Sequence, residues 1–427
     1  MSAKKLSYRI SNFFAALRVG FFLAVRQVRR SSLWMNILVI AIMTLTFLNL
    51  VVVSGVLVGL IQGAVRAVQE HYIGEIFITN LKDKPYIERS TNIISFAESL
   101  PSVRVVAPRY VEGGVAQSNY KKAKKSGELR EEAGTLISGI DPIAEDEATG
   151  LSSLLIEGSY LEPDDFDQVL VGALLLRQYL EFDSAAFPAL EDVGVGSKIR
   201  VTVAGNTREV IVKGIIKSKV DELDRRIFFP EKQFRSMIGR NDFNVDEIAI
   251  RLEPETDQVA IKNAFLAQGF GDYARIQTQT EAEPKFLQDI KKTFNLLGSM
   301  ISSIGVFVAA ITIFIIFFIN AITRRKFIGI LKGIGINPLA IECAYVLQAL
   351  FYVFFGTLIG SVIVFGFLEP YISAHPINFP FSDGILVVPL GSTILRIAIL
   401  LVVTLVAGFL PAKIITRQNT VDAILNR

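Results

Sequence analysis

The sequence predicts a membrane protein made of four transmembrane helices and one α+β domain outside the cytoplasm. Hydrophobic residues make up 51% of its 427 residues and the mean hydropathy is +0.45, values that are typical of membrane proteins. The apolar residues form four runs that can each supply the ~20 residues needed to cross a hydrocarbon core, at 33–65, 293–323, 343–368 and 385–410. Residues 66–292 have the mixed composition of a water-soluble domain.

Residues 1–32 predict an amphipathic helix that lies along the inner leaflet. Apolar side chains recur there at helical spacing among arginines, at Phe13, Phe14, Leu17, Phe21, Phe22 and Val25. A helix packed on a soluble core has the same spacing, but here a transmembrane run begins a few residues later. The pattern therefore favours an interfacial helix in contact with membrane lipids.

The run at 33–65 predicts the first transmembrane helix together with a stalk. It is uncharged throughout and longer than the 7–15 apolar residues of a cleaved signal peptide. As a helix it would extend ~50 Å, which exceeds the ~30 Å of the hydrocarbon core, so its C-terminal end is expected to stand out of the membrane. Residues 281–297 have one apolar face and predict a second stalk helix at the other end of the domain.

The distribution of charge predicts the orientation. Residues 1–32 contain basic residues and no acidic one, which by the positive-inside rule places the N-terminus in the cytoplasm. The loop at 324–342 and the tail at 412–427 are also basic, whereas 66–292 holds 37 acidic against 29 basic residues and the loop at 369–391 has no Lys or Arg. Spans at 33–65, 293–323, 343–368 and 392–411, with both termini inside, satisfy this pattern. The net charge of +3 then reflects topology and does not indicate a nucleic-acid partner.

Two strand–helix–strand units within 66–292 predict a split ferredoxin-like subdomain. They consist of strand 76–79, helix 91–100 and strand 103–106, then of strand 247–252, helix 256–267 and strand 274–277. A β-rich insert is predicted at about 145–235. Two of its strands are joined through Ala204-Gly205-Asn206, a hairpin signal because Gly and Asn tolerate positive φ. Lys121 to Lys125 predict a solvated loop, with a lipid head-group site as the alternative.

The motifs of common enzymes and metal proteins are absent from the sequence. It has no P-loop, no His-Glu-x-x-His and no Gly-x-Ser-x-Gly motif, and the glycines at 194–198 precede a strand, which indicates a turn. The single Cys343 and the histidines His71 and His375 leave little for a disulfide or a metal. We therefore expect neither an enzyme nor a cofactor. Arg396 is the one charge inside an apolar run, and snorkelling to the interface is its simplest explanation.

Three stretches resemble the membrane subunits of the ABC transporters that include the macrolide exporter and the lipoprotein-releasing complex, also called FtsX-like or type VII permeases. They are Leu23 to Arg30 before the first span, Arg324 to Gly335 after the second, and Gly408 to Lys413 continuing to Val421 to Leu425. Ser138 to Pro142 is similar to a segment of the external domain of the lipoprotein-releasing members. The order of one span, a domain of roughly 200 residues and three further spans matches the family's layout.

The resemblance implies that 324–342 forms a coupling helix on a separate ATP-binding subunit, which binds ATP and Mg²⁺ itself. The implied coupling residues are Arg324, Arg325, Lys326, Phe327, Gly329, Lys332 and Gly335. It further implies a dimer with a second permease copy or a paralogue, and a place in the bacterial inner membrane. Two positions depart from the pattern, since Phe327 replaces a usual acidic residue and Thr420 a usual proline.

Three functions remain open at this point. Export or release of a lipid-linked or amphipathic substrate, such as a lipoprotein, is favoured by the large external domain. A permease that does not transport and instead regulates cell-wall hydrolases is the second possibility. A membrane-anchored receptor or scaffold is the third.

Overall fold

The computed structural model describes residues 2–120, 132–180, 188–379, 382–384 and 386–417, and the side chains from residue 14 onward apart from 378, 383 and 384. It contains two compact units. The helical unit comprises Met1–Ile61, Ile290–Asn378 and Asp383–Arg427, and the sheet unit comprises Gln62–Asp289 and Phe379–Ser382. The basic patch at 121–125 and the position of Thr420 lie outside the described residues.

The helices are α1 (Ser2–Arg30), α2 (Leu33–Val68), α3 (Ser90–Ser99), α4 (Pro142–Thr149), α5 (Asp221–Asp224), α6 (Glu231–Ile238), α7 (Gln258–Ala267), α8 (Lys285–Thr323), α9 (Arg325–Gly333), α10 (Pro338–Ile363), α11 (Glu369–Ala374) and α12 (Leu390–Thr416). In the part of the chain that the structure describes, four helical segments are long and apolar enough to cross a membrane: Leu33–Ile73, Lys285–Thr323, Pro338–Ala374 and Leu390–Thr416. The predicted fold class, four spans plus an α+β domain, is confirmed.

Two helices extend beyond the predicted spans. The segment 369–391 was expected to be a loop, but a π-helical turn at Val364–Leu368 leads directly into α11, so helix continues to Ala374. The last span was expected to end at 411, yet α12 runs through Pro411 to Thr416. Proline is tolerated inside helices of this kind because neighbouring helices support the local backbone, and Pro411 is buried among them.

Close backbone contacts join the helices of the helical unit. A methyl group added at Gly356 or Gly360 of α10 would lie 2.4 Å from the side chains of Met43 and Phe47 in α2. Gly356 and Gly360 form a Gly-x-x-x-Gly pair, which lets two helices approach closely where no hydrophobic effect drives them together. Gly20 makes the same kind of contact between α1 and α10, where an added Cβ would lie 2.8 Å from the Cβ of Cys343.

The strands are β1 (Ile76–Asn80), β2 (Val103–Gln117), β3 (Glu132–Ile140), β4 (Leu155–Gly158), β5 (Gln168–Gly172), β6 (Lys198–Val203), β7 (Asn206–Ile216), β8 (Arg226–Pro230), β9 (Glu247–Leu252), β10 (Ala274–Thr278), β11 (Ile377–Phe379) and β12 (Ser382–Gly384). The first ten form one sheet in the order β10-β1-β9-β2-β3-β8-β5-β7-β4, with β6 paired to β2 and β7. The antiparallel order β10-β1-β9-β2, with α3 and α7 as the crossovers, is the predicted split ferredoxin-like subdomain.

The β-rich insert is longer than predicted, and its strands belong to the same sheet as the ferredoxin-like subdomain. It begins before 145, because β3 already belongs to it, and it does not form a sheet of its own. The reason is the length of β2: its first part pairs with β9, whereas residues 109–117 pair with β3 and residues 114–117 also pair with β6. One strand of 15 residues therefore carries the subdomain and the insert in a single sheet.

The predicted hairpin between β6 and β7 is present, with a different pair of turn residues. Ala204 and Gly205 adopt positive φ angles of 46° and 79°, and Asn206 is the first residue of β7, paired with Val203. A two-residue turn with both φ angles positive matches the twist of the strands, so Ala204 takes the strained position that we assigned to asparagine. The glycines at 194–198 form the predicted turn, with Gly196 at a φ of 84°.

Candidate functional site

The basic segment at 324–342 folds as one short helix followed by a tight turn. α9 ends at Gly333, and the N–H groups of Gly335 and Ile336 donate to the carbonyl oxygens of Lys332 and Leu331, both at 3.0 Å. This pair of bonds is a Schellman motif, and it requires the left-handed conformation that Gly335 adopts with a φ of 89°. The predicted helix to 342 is therefore interrupted. A new helix, α10, begins at Pro338.

The two faces of α9 differ in exposure. Ile328, Gly329 and Leu331 are buried in the apolar core of the helical unit. On the opposite side Phe327, Ile330 and Ile334 have exposed fractions of 50%, 44% and 71%. The spacing of three and four residues places these three side chains on one helical face, which we call the α9 stripe. A surface of this composition is typical of a protein–protein contact.

Lys332 attaches α9 to the end of the last span. Its Nζ donates to the carbonyl oxygen of Thr416 at 2.9 Å, which is a favourable position for a cation because it lies at the C-terminus of α12. The hydroxyl of Thr416 donates in turn to Oε1 of Glu342 in α10 at 2.8 Å. Three helices thus meet at Thr416, so a displacement of α9 acts on α10 and α12 as well.

The structure places the seven predicted coupling residues in five different kinds of position. Lys326 and Phe327 are exposed, and Arg324 and Arg325 are half-buried at the start of α9. Gly329 faces the core, Lys332 is bound to Thr416, and Gly335 forms the turn. Sequence reasoning missed Ile330 and Ile334. Their spacing from Phe327 was a signal that could have revealed them, but the charges of the segment dominated the interpretation.

The end of α2 is fixed in the sheet unit by buried charges. The hydroxyl of Tyr72 donates to Glu247 at 3.0 Å, and Arg226 bonds both Glu247, at 3.2 Å, and the hydroxyl of Tyr72. Arg109 donates to the backbone oxygen of Tyr72 at 2.9 Å and to both carboxylate oxygens of Glu145 at 2.7 Å. We call these five residues the Tyr72 cluster. They join the helix end to β2, β8, β9 and α4.

The charges within the Tyr72 cluster shift the pKa values of Glu247 and Arg226. Burial by itself would raise the pKa of the Glu247 carboxyl, but the charges of Arg226 and Arg109 outweigh burial and hold that pKa below its usual value. Burial by itself would lower the pKa of Arg226, but the negative charge of Glu247 outweighs burial and raises that pKa above its usual value. The charged forms are therefore mutually stabilised. Removing one partner would leave the other buried and unpaired, which is costly.

A further bond joins the two ends of the sheet unit at its base. The amide of Gln69, just beyond α2, donates to Oε1 of Glu283 at 3.0 Å, two residues before α8 begins. Ala282 and Leu287 pack against the same apolar cluster as Val68 and Tyr72. The segments that enter and leave the sheet unit are thus fastened to each other.

The side chain of Arg396 makes a hydrogen bond inside the helical unit. Its Nη2 donates to the hydroxyl of Ser54 in α2 at 2.5 Å, and its Nη1 is buried without a hydrogen-bond partner. It lines a cavity of about 720 Å³ between α2, α8 and α12. The polar residues around this cavity are Ser54, Asn295, Ser299, Ser302, Ser303 and Ser392. We call it the Arg396 cavity.

Comparison with known proteins agrees with this architecture. Residues 299–420, which contain α9 and most of the Arg396 cavity, match the FtsX-like permease C-terminal domain. The chain is 22% identical over 419 residues to the lipoprotein-releasing system transmembrane protein LolC of Neisseria meningitidis serogroup B, covering 89% of this chain and 94% of that protein. It is 25% identical over 193 residues to the macrolide export ATP-binding/permease protein MacB of Agrobacterium fabrum, covering 44% of this chain and 28% of that longer protein.

Two solved structures are also similar to part of the chain. The periplasmic region of MacB from Actinobacillus actinomycetemcomitans gives a TM-score of 0.35 at 14% identity, covering 53% of this chain and 95% of that structure. The extracellular domain of the transporter YknZ from Gram-positive bacteria gives a TM-score of 0.32 at 14% identity, covering 48% of this chain and 98% of that structure.

Four spans, a sheet unit inserted after the first and a basic segment after the second define a membrane permease. The matched C-terminal domain, and the similarity to LolC over 89% of this chain and 94% of that protein, support an ABC permease of the FtsX-like type. The resemblance seen in the sequence is confirmed.

Proposed function

We propose that this permease is driven by a separate ABC ATP-binding subunit that docks on α9, holds ATP and Mg²⁺, and hydrolyses the nucleotide. The observation that carries the proposal is the arrangement of α9. One face presents the α9 stripe, the other is buried in the helical unit, and Lys332 fastens the helix to Thr416. A short helix exposed in this way suits a groove on a partner protein.

The sheet unit is the part that the transporter moves. α2 and α8 each contain residues of both units, so each span continues as helix into the sheet unit. The Tyr72 cluster and the Gln69–Glu283 bond fasten these helix ends to the sheet. A displacement that starts at α9 is passed to the sheet unit along these continuous helices. This is mechanical transmission, and it needs no pore through the spans.

A second permease copy or a paralogue completes the transporter as a dimer. α8 carries apolar side chains that its own chain leaves exposed, among them Phe307, Val308, Ile311 and Ile315. Such a surface suits lipid or a second membrane helix. We place both termini in the cytoplasm of a bacterial cell and the sheet unit beyond the inner membrane, because the basic segments flank the spans on the opposite side.

The cargo that we propose is a lipid-linked or amphipathic molecule, with a lipoprotein as the leading candidate. The support is the similarity to a lipoprotein-releasing protein over 94% of its length. Regulation of cell-wall hydrolases without transport is the alternative among permeases of this type. A releasing permease would bind an acylated protein outside the membrane, whereas a regulating permease would bind a cell-wall hydrolase or its activator.

Docking is tested by purification of the chain from its native host. We expect a P-loop ATPase to co-purify, and its stimulated hydrolysis to be abolished when Arg324, Arg325 and Lys326 are all changed to Glu. The matched control changes the same residues to Lys, Lys and Arg, which keeps every charge and should keep the stimulation. A well-folded chain that binds no ATPase would overturn the proposal.

The cargo is tested by mass spectrometry of the complex with hydrolysis blocked. Acylated protein in the trapped complex, and its loss when ATP turnover is restored, is the result expected for release of a lipoprotein. A trapped cell-wall hydrolase or its activator would favour regulation instead.

A further inference from the structure

The Arg396 cavity contains a positive charge without a counter-ion. Of its side-chain nitrogens, Nη2 bonds the neutral hydroxyl of Ser54 and Nη1 has no partner. No Asp or Glu of the described residues lines the cavity. A charge inside a membrane span is costly unless it is paired, and it usually marks a site for a ligand or an ion.

The position of Arg396 fits the level of lipid head groups. α12 begins at Leu390, so Arg396 lies ~9 Å along the helix from its first residue. The helix of 27 residues is ~40 Å long and exceeds the ~30 Å hydrocarbon core by ~5 Å at each end. Arg396 therefore lies at the boundary between the head groups and the acyl chains, at the end of α12 remote from α9.

The lining of the cavity has both polar and apolar side chains, so it can contact both the head group and the acyl chains of a lipid. Ser302, Ser303 and Ser392 line the cavity together with the arginine, and apolar side chains such as Leu57, Phe307 and Val403 complete the wall. The volume of about 720 Å³ lies in the range of ~300–1,000 Å³ that holds drug-sized ligands. It suits a head group with the first part of its chains, not a folded protein segment.

We propose that the Arg396 cavity binds an anionic glycerophospholipid of the surrounding bilayer. The phosphate pairs with the guanidinium of Arg396, the serine hydroxyls contact the head-group oxygens, and an acyl chain lies against the apolar wall. Arginine suits this role because its planar group donates two parallel hydrogen bonds to a phosphate. The site is independent of the proposed cargo, since a bilayer phospholipid can stabilise or regulate a permease that transports something else.

The test is native mass spectrometry of the purified full-length chain, titrated with phosphatidylglycerol, with diacylglycerol, which lacks a phosphate, and with inorganic phosphate as competitor. We expect retained phosphatidylglycerol, no retained diacylglycerol and no displacement by millimolar phosphate. Arg396→Gln should weaken binding at least tenfold and Arg396→Lys less. The matched control is Arg417→Gln, an exposed arginine just after the same helix, which should leave binding unchanged.

Three results would overturn the proposal. Equal binding by wild type and Arg396→Gln, with both showing the same thermal stability, would place the lipid elsewhere. Full displacement by inorganic phosphate would make the ligand a free anion. A benzophenone at Ser302 that cross-links to a second permease copy and never to lipid would show that protein fills the cavity. None of these results bears on docking of the ATPase at α9.

Discussion

At the level of single residues, the sheet unit has buried ion pairs next to Tyr72, in the segment that continues α2. Arg109 and Arg226 are each only 1% exposed, and their partners belong to segments distant in the sequence. The sequence did not reveal this cluster. Arginine and glutamate are common on surfaces, and only the pairing of β2, β8 and β9 brings these particular ones together.

Removal of one arginine from the Tyr72 cluster should be far more damaging than removal of a surface arginine. Arg109→Gln leaves Glu145 buried without its partner, and we expect the free energy of opening of β2 to fall by about 3–5 kcal/mol. The matched control is Arg104→Gln in the same strand, whose pair with Glu147 is exposed and worth about 1 kcal/mol or less. Amide hydrogen exchange measures both. Equal losses would contradict the role of the buried pair.

Acid should loosen the same cluster. Because the pKa of Glu247 is lowered in the folded protein, its stabilisation is present above the unfolded pKa of roughly 4.3 and is lost as the pH falls through the folded pKa. We therefore expect the opening free energy of β9 to decrease below about pH 4.3. In the Glu247→Gln variant, the opening free energy of β9 should depend less on pH in that range. The same acid slope in both proteins would show that other carboxyls dominate.

At the level of elements, hydropathy was sufficient to predict the four spans, because a helix that crosses a bilayer must be long and apolar. Charge was a poor guide to helix ends. α12 continues past Pro411 through Lys413, whose Nζ lies 5.1 Å from the ring of Phe409. The family resemblance implied one coupling helix over 324–342, whereas Gly335 and Pro338 divide this segment.

The sheet shows a different limit of sequence reasoning. Strands 76–79 and 247–252 were predicted within one residue of the bounds of β1 and β9. Strand pairing was predictable for the β6–β7 hairpin, where the turn residues indicate it, and for the ferredoxin-like part, where a known motif supplies the order. Elsewhere the long strand β2 pairs with strands far from it in the sequence, such as β6. No local sequence pattern indicates such a pairing.

The contact between α2 and α10 should depend on the absence of side chains. Gly360→Leu forces a branched side chain against Phe47, so we expect a loss of about 1–3 kcal/mol of stability, read as a lower temperature of unfolding in detergent. Gly366→Leu is the matched control, because nothing lies within 4 Å of a Cβ added there. A control as unstable as the variant would mean that any leucine in this region is harmful.

The attachment of α9 to α12 should affect coupling more than docking. Lys332→Met removes the bond to Thr416 but leaves the α9 stripe in place, so the ATPase should still co-purify while its stimulation falls several-fold. Lys413→Met, which alters a cation on α12 outside this attachment, is the control and should retain stimulation. Loss of co-purification with Lys332→Met would instead make this lysine part of the docking surface.

At the level of the whole molecule, the chain contains three sites that a permease of this type would use, and they lie in different parts of it. The α9 stripe is an exposed apolar surface, the Tyr72 cluster fastens the segment that continues α2 to the sheet, and the Arg396 cavity lies between α2, α8 and α12. Of the first site, only Phe327 was predicted from the sequence as a coupling residue. The other two are assembled from residues that long-range packing brings together.

The central claim is that force applied at α9 reaches the sheet unit. Hydrogen exchange of residues 62–289, measured in the assembled complex with and without ATP trapped on the ATPase, tests it most directly. We predict that trapped ATP changes exchange around Tyr72 and Glu283 in the wild type, and that Ile330→Glu in the α9 stripe abolishes this change while Leu339→Glu, an exposed residue at the start of α10, preserves it. An ATP-dependent change of equal size in Ile330→Glu, or none in the wild type, would contradict the account.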